Sequence, residues 1–147
     1  MGHKKFKNGI YSPINPNKYV GRKKPEYRSS WEMKFFIWCD KNPNVLEWAS
    51  ESTIVPYISP VDGKPHRYFV DFAIALREPT GVVKYLIEIK PECQTKPPKK
   101  HGNKKQSTIL YENAMYAVNQ AKWEAAKKWA SQKGFIFRLL TEKELNL

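Results

Sequence analysis

Apolar positions recur at helical spacing over Ser30–Lys41, with Trp31, Phe35 and Trp38 on one stripe and Asn42-Pro43 to stop the helix. Residues 45–57 read as a short extended piece and then a strand over 53–57, ended by the turn residues Pro60-Val61-Asp62-Gly63. Residues 66–76 and 82–90 are rich in β-branched and aromatic side chains and flank Glu78-Pro79-Thr80-Gly81, which predicts a β-hairpin. Residues 91–106 hold three prolines and six Lys/His, with no apolar residue except Cys93, and are read as a loop. A long helix is predicted over 107–133, its buried side traced by Met115, Val118, Lys122, Ala125/Ala126 and Trp129, with Gly134 ending it. Residues 135–140 form a last strand and residues 141–144 a last helical turn. Residues 1–25 lack periodicity, so they are read as a basic arm, with Tyr11, Ile14, Tyr19 and Val20 as candidate anchors. The order α-β-β-β-α-β predicts an α/β fold with a mixed sheet flanked by helices, in one domain over residues 26–147.

Centring the hairpin on its turn sets Val70, Phe72, Ile74 and Leu76 opposite Ile89, Ile87, Tyr85 and Val83, an apolar face. On the other face Asp71 falls across from Glu88, with Lys90 two residues further along the same side. A slip of one residue would destroy the apolar face, so the pattern constrains the register. Like charges facing each other on a sheet are destabilising and call for a cation, either Lys90 or a metal ion. Two carboxylates and a lysine are also the minimal set for metal-assisted phosphodiester cleavage: the acids hold the cation, while lysine and metal activate water and neutralise charge on the phosphate. The plainer reading is a surface cluster in which Lys90 merely neutralises two acids.

The charge distribution bears on that choice. The 147 residues carry a formal net charge of +12, and residues 1–28 have eight Lys/Arg against one acid, residues 29–93 seven against nine, and residues 94–147 eleven against four. An acidic middle between basic flanks suits a polyphosphate partner, and we expect Arg22, Lys23, Lys24, Arg28, Lys96, Lys99, Lys100, Lys104 and Lys105 to contact DNA phosphates. Cys39 and Cys93 are isolated, and with His3, His66 and His101 they complete no zinc pattern. No apolar stretch approaches 20 residues and no signal peptide is visible, so a soluble intracellular protein without membrane contact is expected. The tryptophans 31, 38, 48, 123 and 129 are read as mostly core, with base stacking open to any that are exposed.

Two further polar positions carry alternatives. Ser29 at N-cap and Glu32 at N3 form a capping box, which accounts for both; the competing reading turns Glu32 inward as a metal ligand. Gln120 is either an exposed helix residue or an auxiliary group that positions a phosphate or water.

Asp71 followed by Glu88-Ile89-Lys90 on the neighbouring strand, after an acid-bearing helix, resembles the PD-(D/E)xK nuclease superfamily, although Val70 stands where the motif has proline. Its restriction-endonuclease-like core has the element order derived above. The strings Tyr27-Arg28-Ser29-Ser30-Trp31-Glu32, His66-Arg67-Tyr68-Phe69-Val70-Asp71-Phe72, Ile87-Glu88-Ile89-Lys90-Pro91 and Asn119-Gln120-Ala121-Lys122-Trp123 resemble the head completion nucleases of large contractile-tailed phages. The resemblance implies a DNA endonuclease dependent on Mg²⁺ (or Mn²⁺) that processes packaged DNA or its ends before tails attach. It implies metal binding by Asp71, Glu88 and the Ile89 carbonyl, and catalysis by Lys90. Related TnsA-like endonucleases match Glu32 as a further ligand. It also implies portal or neck proteins as partners, and residence in the host cytoplasm or the virion head. Two alternatives stand beside this: a DNA-binding virion protein without catalysis, and a nuclease of the same fold with another role. Oligomeric state is open.

Overall fold

Helix α1 (Ser30–Lys41) begins where expected, because the Ser29 hydroxyl accepts a hydrogen bond from the Glu32 amide at 3.1 Å. It ends at Asn42, whose amide still bonds to the Trp38 carbonyl before Pro43 forbids another turn. The computed structural model describes residues 8–100 and 102–145; His3 and His101, and the first seven residues of the expected arm, lie outside the described residues. The helix buries Phe35, Phe36, Cys39 and Asp40. Trp38, expected on the buried stripe, is instead 42% exposed, because the core face centres on Phe36 and Cys39 and leaves Trp38 at its rim.

Four strands form the main sheet in the order β3 (Val45–Ile58), β4 (Pro65–Glu78), β5 (Gly81–Ile89), β6 (Phe135–Leu140), while β1 (Gly9–Ile10) and β2 (Glu26–Tyr27) make a separate small ribbon. Strands β3 to β5 are antiparallel neighbours, and β6 lies parallel to β5, a connection that requires the crossover helix α2 (Gln106–Lys133). The fold is therefore the expected α/β arrangement with a mixed sheet and two helices. Residues 45–58 form one continuous strand where a short piece and a strand were expected. The interruption in the pattern is a bulge: the β3–β4 register shifts between Ser50 and Thr53, and Glu51 adopts φ 47°.

The hairpin turn pairs Glu78 with Gly81, and the ladder runs in the expected register up to Phe72 and Ile87. There it stops. Val70 does not pair with Ile89 but with Thr53 of β3. Tyr68 and Val70 pack with Val55, Leu86, Trp123, Ala126 and Ala130 beneath α2, whereas Phe72 and Ile74 pack with Phe35, Phe36, Trp48, Ile87 and Ile89 beneath α1. Leu86 and Ile87, adjacent on β5, belong to different clusters, so the helices cover opposite faces of the sheet. The alternation of β4 thus changes over at Asp71, opposite the bulge, and the single apolar face expected for the whole hairpin divides between two cores.

Helix α2 buries Asn119, Trp123, Ala126 and Ala130, and Gly134 ends it in the left-handed conformation (φ 79°). The expected stripe through Met115 and Trp129 is rotated from this one: Met115 is 38% exposed and Trp129 half-buried, because the helix seats Trp123 against the sheet. Residues 11–18 are tied to α1 through Asp40. Its carboxylate accepts bonds from the Tyr11 hydroxyl (2.5 Å) and the amides of Ile14 (2.7 Å) and Asn15 (2.9 Å), and Lys18 Nζ donates to its carbonyl. Tyr11 and Tyr19 pack on the α1 core, while Ile14 and Val20 are exposed and anchor nothing with their side chains.

Candidate active site

Beyond the Phe72–Ile87 pair the two central strands part, and the gap is filled by carboxylates. Asp71 Oδ2 accepts the Ile89 amide at 2.9 Å, a place that a backbone carbonyl of β4 fills in a regular ladder. Glu88 is 5% exposed; its Oε1 accepts the Tyr68 hydroxyl at 2.8 Å and its Oε2 lies 3.8 Å from Lys90 Nζ. Lys90 is held on the other side by its amide, which bonds to the Leu140 carbonyl of β6 at 2.9 Å. Asp71, Glu88 and Lys90 therefore lie together, although the direct pairing of Asp71 with Glu88 expected from the hairpin register is replaced by the bond from the Ile89 amide to Asp71.

The electrostatics of the pair are unusual for surface acids. Burial, and then the Glu88 charge, push the Asp71 carboxyl well above the usual carboxylate range, against the opposing pull of the Ile89 amide and of Lys90. Burial raises Glu88 as well, despite hydrogen bonds from Tyr68 and Asp71 and the charge of Lys90. Burial and the Glu88 charge together raise the Tyr68 hydroxyl, so it stays protonated and remains a donor to Glu88. Two acids so placed, with one cation 3.8 Å from one of them, lack full compensation of their charge, which a divalent cation would supply. Their hard oxygen donors suit Mg²⁺ or Mn²⁺ better than softer ions. The residues present fit such an ion.

Glu32 stands apart. Its carboxylate accepts the Arg28 amide at 2.6 Å, closing the capping box one residue earlier than usual, although its charge still contributes to raising Asp71. Among the described residues no three His, Cys, Asp or Glu side chains gather as a ready metal cluster. Gln120 is exposed, while its neighbour Asn119 is buried and lines a cleft with Lys90. Lys122 lies over the Tyr68 ring, its Nζ 5.6 Å from the centroid.

The expected phosphate contacts sort into three groups. Arg22, Lys24, Lys96, Lys99, Lys100 and Lys105 are exposed, Lys96 with an ion pair to Glu92 at 3.0 Å. Lys23 and Arg28 both bind Glu51, in the bulge across from Asp71, Lys23 at 2.7 Å. Lys104 is largely consumed within the fold: it bonds to Glu112 Oε1 at 2.7 Å and to the Lys99 carbonyl at 3.0 Å, so it staples the loop instead of standing free. Sequence reasoning missed Tyr68, Asn119 and Glu51. Tyr68 had a signal, since a buried tyrosine hydroxyl needs a partner and the hairpin offers a buried acid. Asn119 had a weaker one in its four-residue spacing from Trp123, and Glu51 had none.

Known proteins resemble this chain over most of its length. Residues 42–142 match the family described as TnsA-like endonuclease N terminal. The head completion nuclease of Enterobacteria phage T4 is 40% identical over 142 residues, covering 94% of this chain and 93% of that protein. No solved structure matches significantly.

Proposed function

The chain belongs to the TnsA-like endonuclease family, and from that premise we propose that it is a divalent-metal-dependent DNA endonuclease acting in phage head completion. The observation that carries this reading is the acidic pair Asp71 and Glu88 beside Lys90, at the point where β4 and β5 part and Asp71 takes the Ile89 amide. A DNA-binding virion component without catalysis leaves that pair unexplained, and the likeness to a protein named a nuclease disfavours it.

Asp71, Glu88 and the Ile89 carbonyl would hold Mg²⁺ or Mn²⁺. When bound, such an ion supplies Lewis-acid charge that offsets negative charge on the phosphate and eases deprotonation of water. Lys90 orients the attacking water and stabilises the crowded phosphate; the P–O bond to the leaving oxygen breaks as the new one forms, and that oxygen takes up a proton. Tyr68 keeps Glu88 in one rotamer by donating to Oε1. Glu32 caps α1 and lends negative potential that favours a cation at Asp71. The nuclease domain spans residues 26–147, and Gln120 has no assigned step. Arg22, Lys24, Lys99, Lys100 and Lys105 grip the phosphate backbone without reading bases, so binding weakens with salt. The substrate is packaged DNA or its ends, reached in the host cytoplasm or within the head beside portal or neck proteins. Cutting both strands with one site per chain takes two chains or two successive nicks.

Purified protein with Mg²⁺ or Mn²⁺ should cleave plasmid and linear DNA. Asp71→Ala and Lys90→Ala should each lower the rate on the order of 100- to 1,000-fold, with DNA affinity by fluorescence anisotropy little changed. Wild type that cuts no DNA, or variants that still cut, would overturn the proposal.

A further inference from the structure

A cleft of about 920 Å³ opens beside Lys90, between residues 91–105, which include a 3-10 turn at Glu92–Thr95, and the first half of α2. Pro97, Pro98 and Lys99 form one wall, and Tyr111 and Met115 of α2 form the floor. The wall is tied down: Lys104 bonds at once to the Lys99 carbonyl and to Glu112 on α2, and two prolines stiffen the chain just before Lys99. Tyr111 is 66% exposed and Met115 38%, so the floor offers an aromatic face and an apolar strip with nothing over them among the described residues.

Most charges of the cleft are paired, and among the described residues Glu142 is the lining acid with no cation at ion-pair distance. Glu92 carries Lys96 and Lys143, each at 3.0 Å, Glu112 carries Lys104, and Glu142 accepts the Glu92 amide at 3.0 Å. Lys99 is then a cation on the wall with no acid of its own among the described residues, and Lys90, 3.8 Å from Glu88, stands at the inner end. Cations along a track whose floor is aromatic are what an unpaired nucleic-acid strand requires: the lysines meet phosphates and the ring stacks on a base. A duplex hides the faces of its bases, so it would use the lysines and leave Tyr111 and Met115 against sugar and phosphate. A peptide of apolar character would leave the lysines unused.

The geometry points to this cleft as the path of an unpaired DNA strand, a tail or flap whose backbone runs on to Lys90, so that the enzyme acts preferentially where duplex meets single strand. The inference rests on the nuclease reading above and adds the form of the substrate to it.

The test compares two labelled oligonucleotide substrates of one sequence, a blunt duplex and the same duplex with a ten-nucleotide single-stranded tail, in wild type, Tyr111→Ala, Tyr111→Phe and Lys99→Ala. Cleavage is followed with Mg²⁺, and binding by anisotropy with EDTA. Wild type should favour the tailed form about tenfold in both readouts, the worth of one stacked base. Tyr111→Ala should bring the tailed-to-blunt ratio near one, Tyr111→Phe should keep it, and Lys99→Ala should lower tail affinity and flatten its salt dependence. Equal treatment of the two forms by wild type, or a preference that survives Tyr111→Ala, overturns the inference while leaving the nuclease standing. Tail-dependent binding that Tyr111→Ala removes, with no cleavage of either form, sinks the nuclease reading and leaves the cleft as a strand-binding site.

Discussion

The molecule buries carboxylates in two places and treats them in opposite ways. Asp40, at the end of α1, is fully enclosed and surrounded by donors: the Tyr11 hydroxyl and the Ile14 and Asn15 amides all point at it. Burial works to raise its pKa, but those hydrogen bonds outweigh it and hold the carboxyl below the usual range. Glu88 is also buried and Asp71 half-buried, yet the two share only one amide, one hydroxyl and a lysine 3.8 Å from Glu88, and both are raised. The difference is one of supply. Where donors match acceptors, a buried charge fastens a segment to the core; where they fall short, the deficit becomes affinity for something absent from the chain.

The largest effect that would separate the two sites is catalytic, the loss of cleavage in Asp71→Ala and Lys90→Ala described above, whereas Asp40→Asn should cut DNA at a near-normal rate once folded. Next in size is stability. Asp40→Ala strands several buried donors and should cost about 3 kcal/mol or more in urea unfolding, while Asp71→Asn should stabilise the metal-free protein by roughly 1 kcal/mol or more. An Asp40→Ala protein as stable as wild type would show that the surrounding bonds are ornamental.

The pH dependence has opposite signs at the two places. Asp40 titrates below its unfolded value, near 4, so the native state binds fewer protons there; its contribution is complete above that value and lost as pH falls through the native one. Asp71 and Glu88 titrate above theirs, so the native state holds extra protons and stability declines as pH rises from about 4 through the raised values. Unfolding in EDTA between pH 4 and 8 should therefore show wild type losing ground to Asp71→Asn as pH rises, and Mg²⁺ should reverse the trend. Parallel curves would mean that the pair is solvated like surface acids. The smallest effect belongs to the cap: Glu32→Ala should cost about 1 kcal/mol of stability. If it leaves stability unchanged but abolishes cleavage, Glu32 works at the metal and not at the helix.

Local rules read well wherever the structure is local. The capping box, Asn42-Pro43, the hairpin turn and Gly134 each act within a few residues, and α1, the β4–β5 register and the end of α2 follow from them. The turn also brings Asp71, Glu88 and Lys90 to one end of the hairpin, although its register ends at Phe72 and Ile87, just short of them. Period-two reasoning failed at Val70 because it assumes a regular strand, and the irregularity sits in the very residue that carries the site. The face of α2 was misjudged because Trp123 and Trp129 are both plausible core residues, and only contact with the sheet decides between them. Asp40 gathering residues 11–18, Glu51 holding Lys23 and Arg28, and Lys104 turning inward are pairings between distant or loop positions that composition does not encode.

Because Asp71 Oδ2 stands in for a strand carbonyl, the Ile89 amide is answered by a side chain of the acidic pair and not by backbone. That N–H belongs to the residue separating Glu88 from Lys90, so any change at the Asp71 carboxylate would be felt in the backbone between the acid and the lysine. The Ile89 amide is therefore the backbone signal to follow as Mg²⁺ is added, and a shift there would report a cation at Asp71.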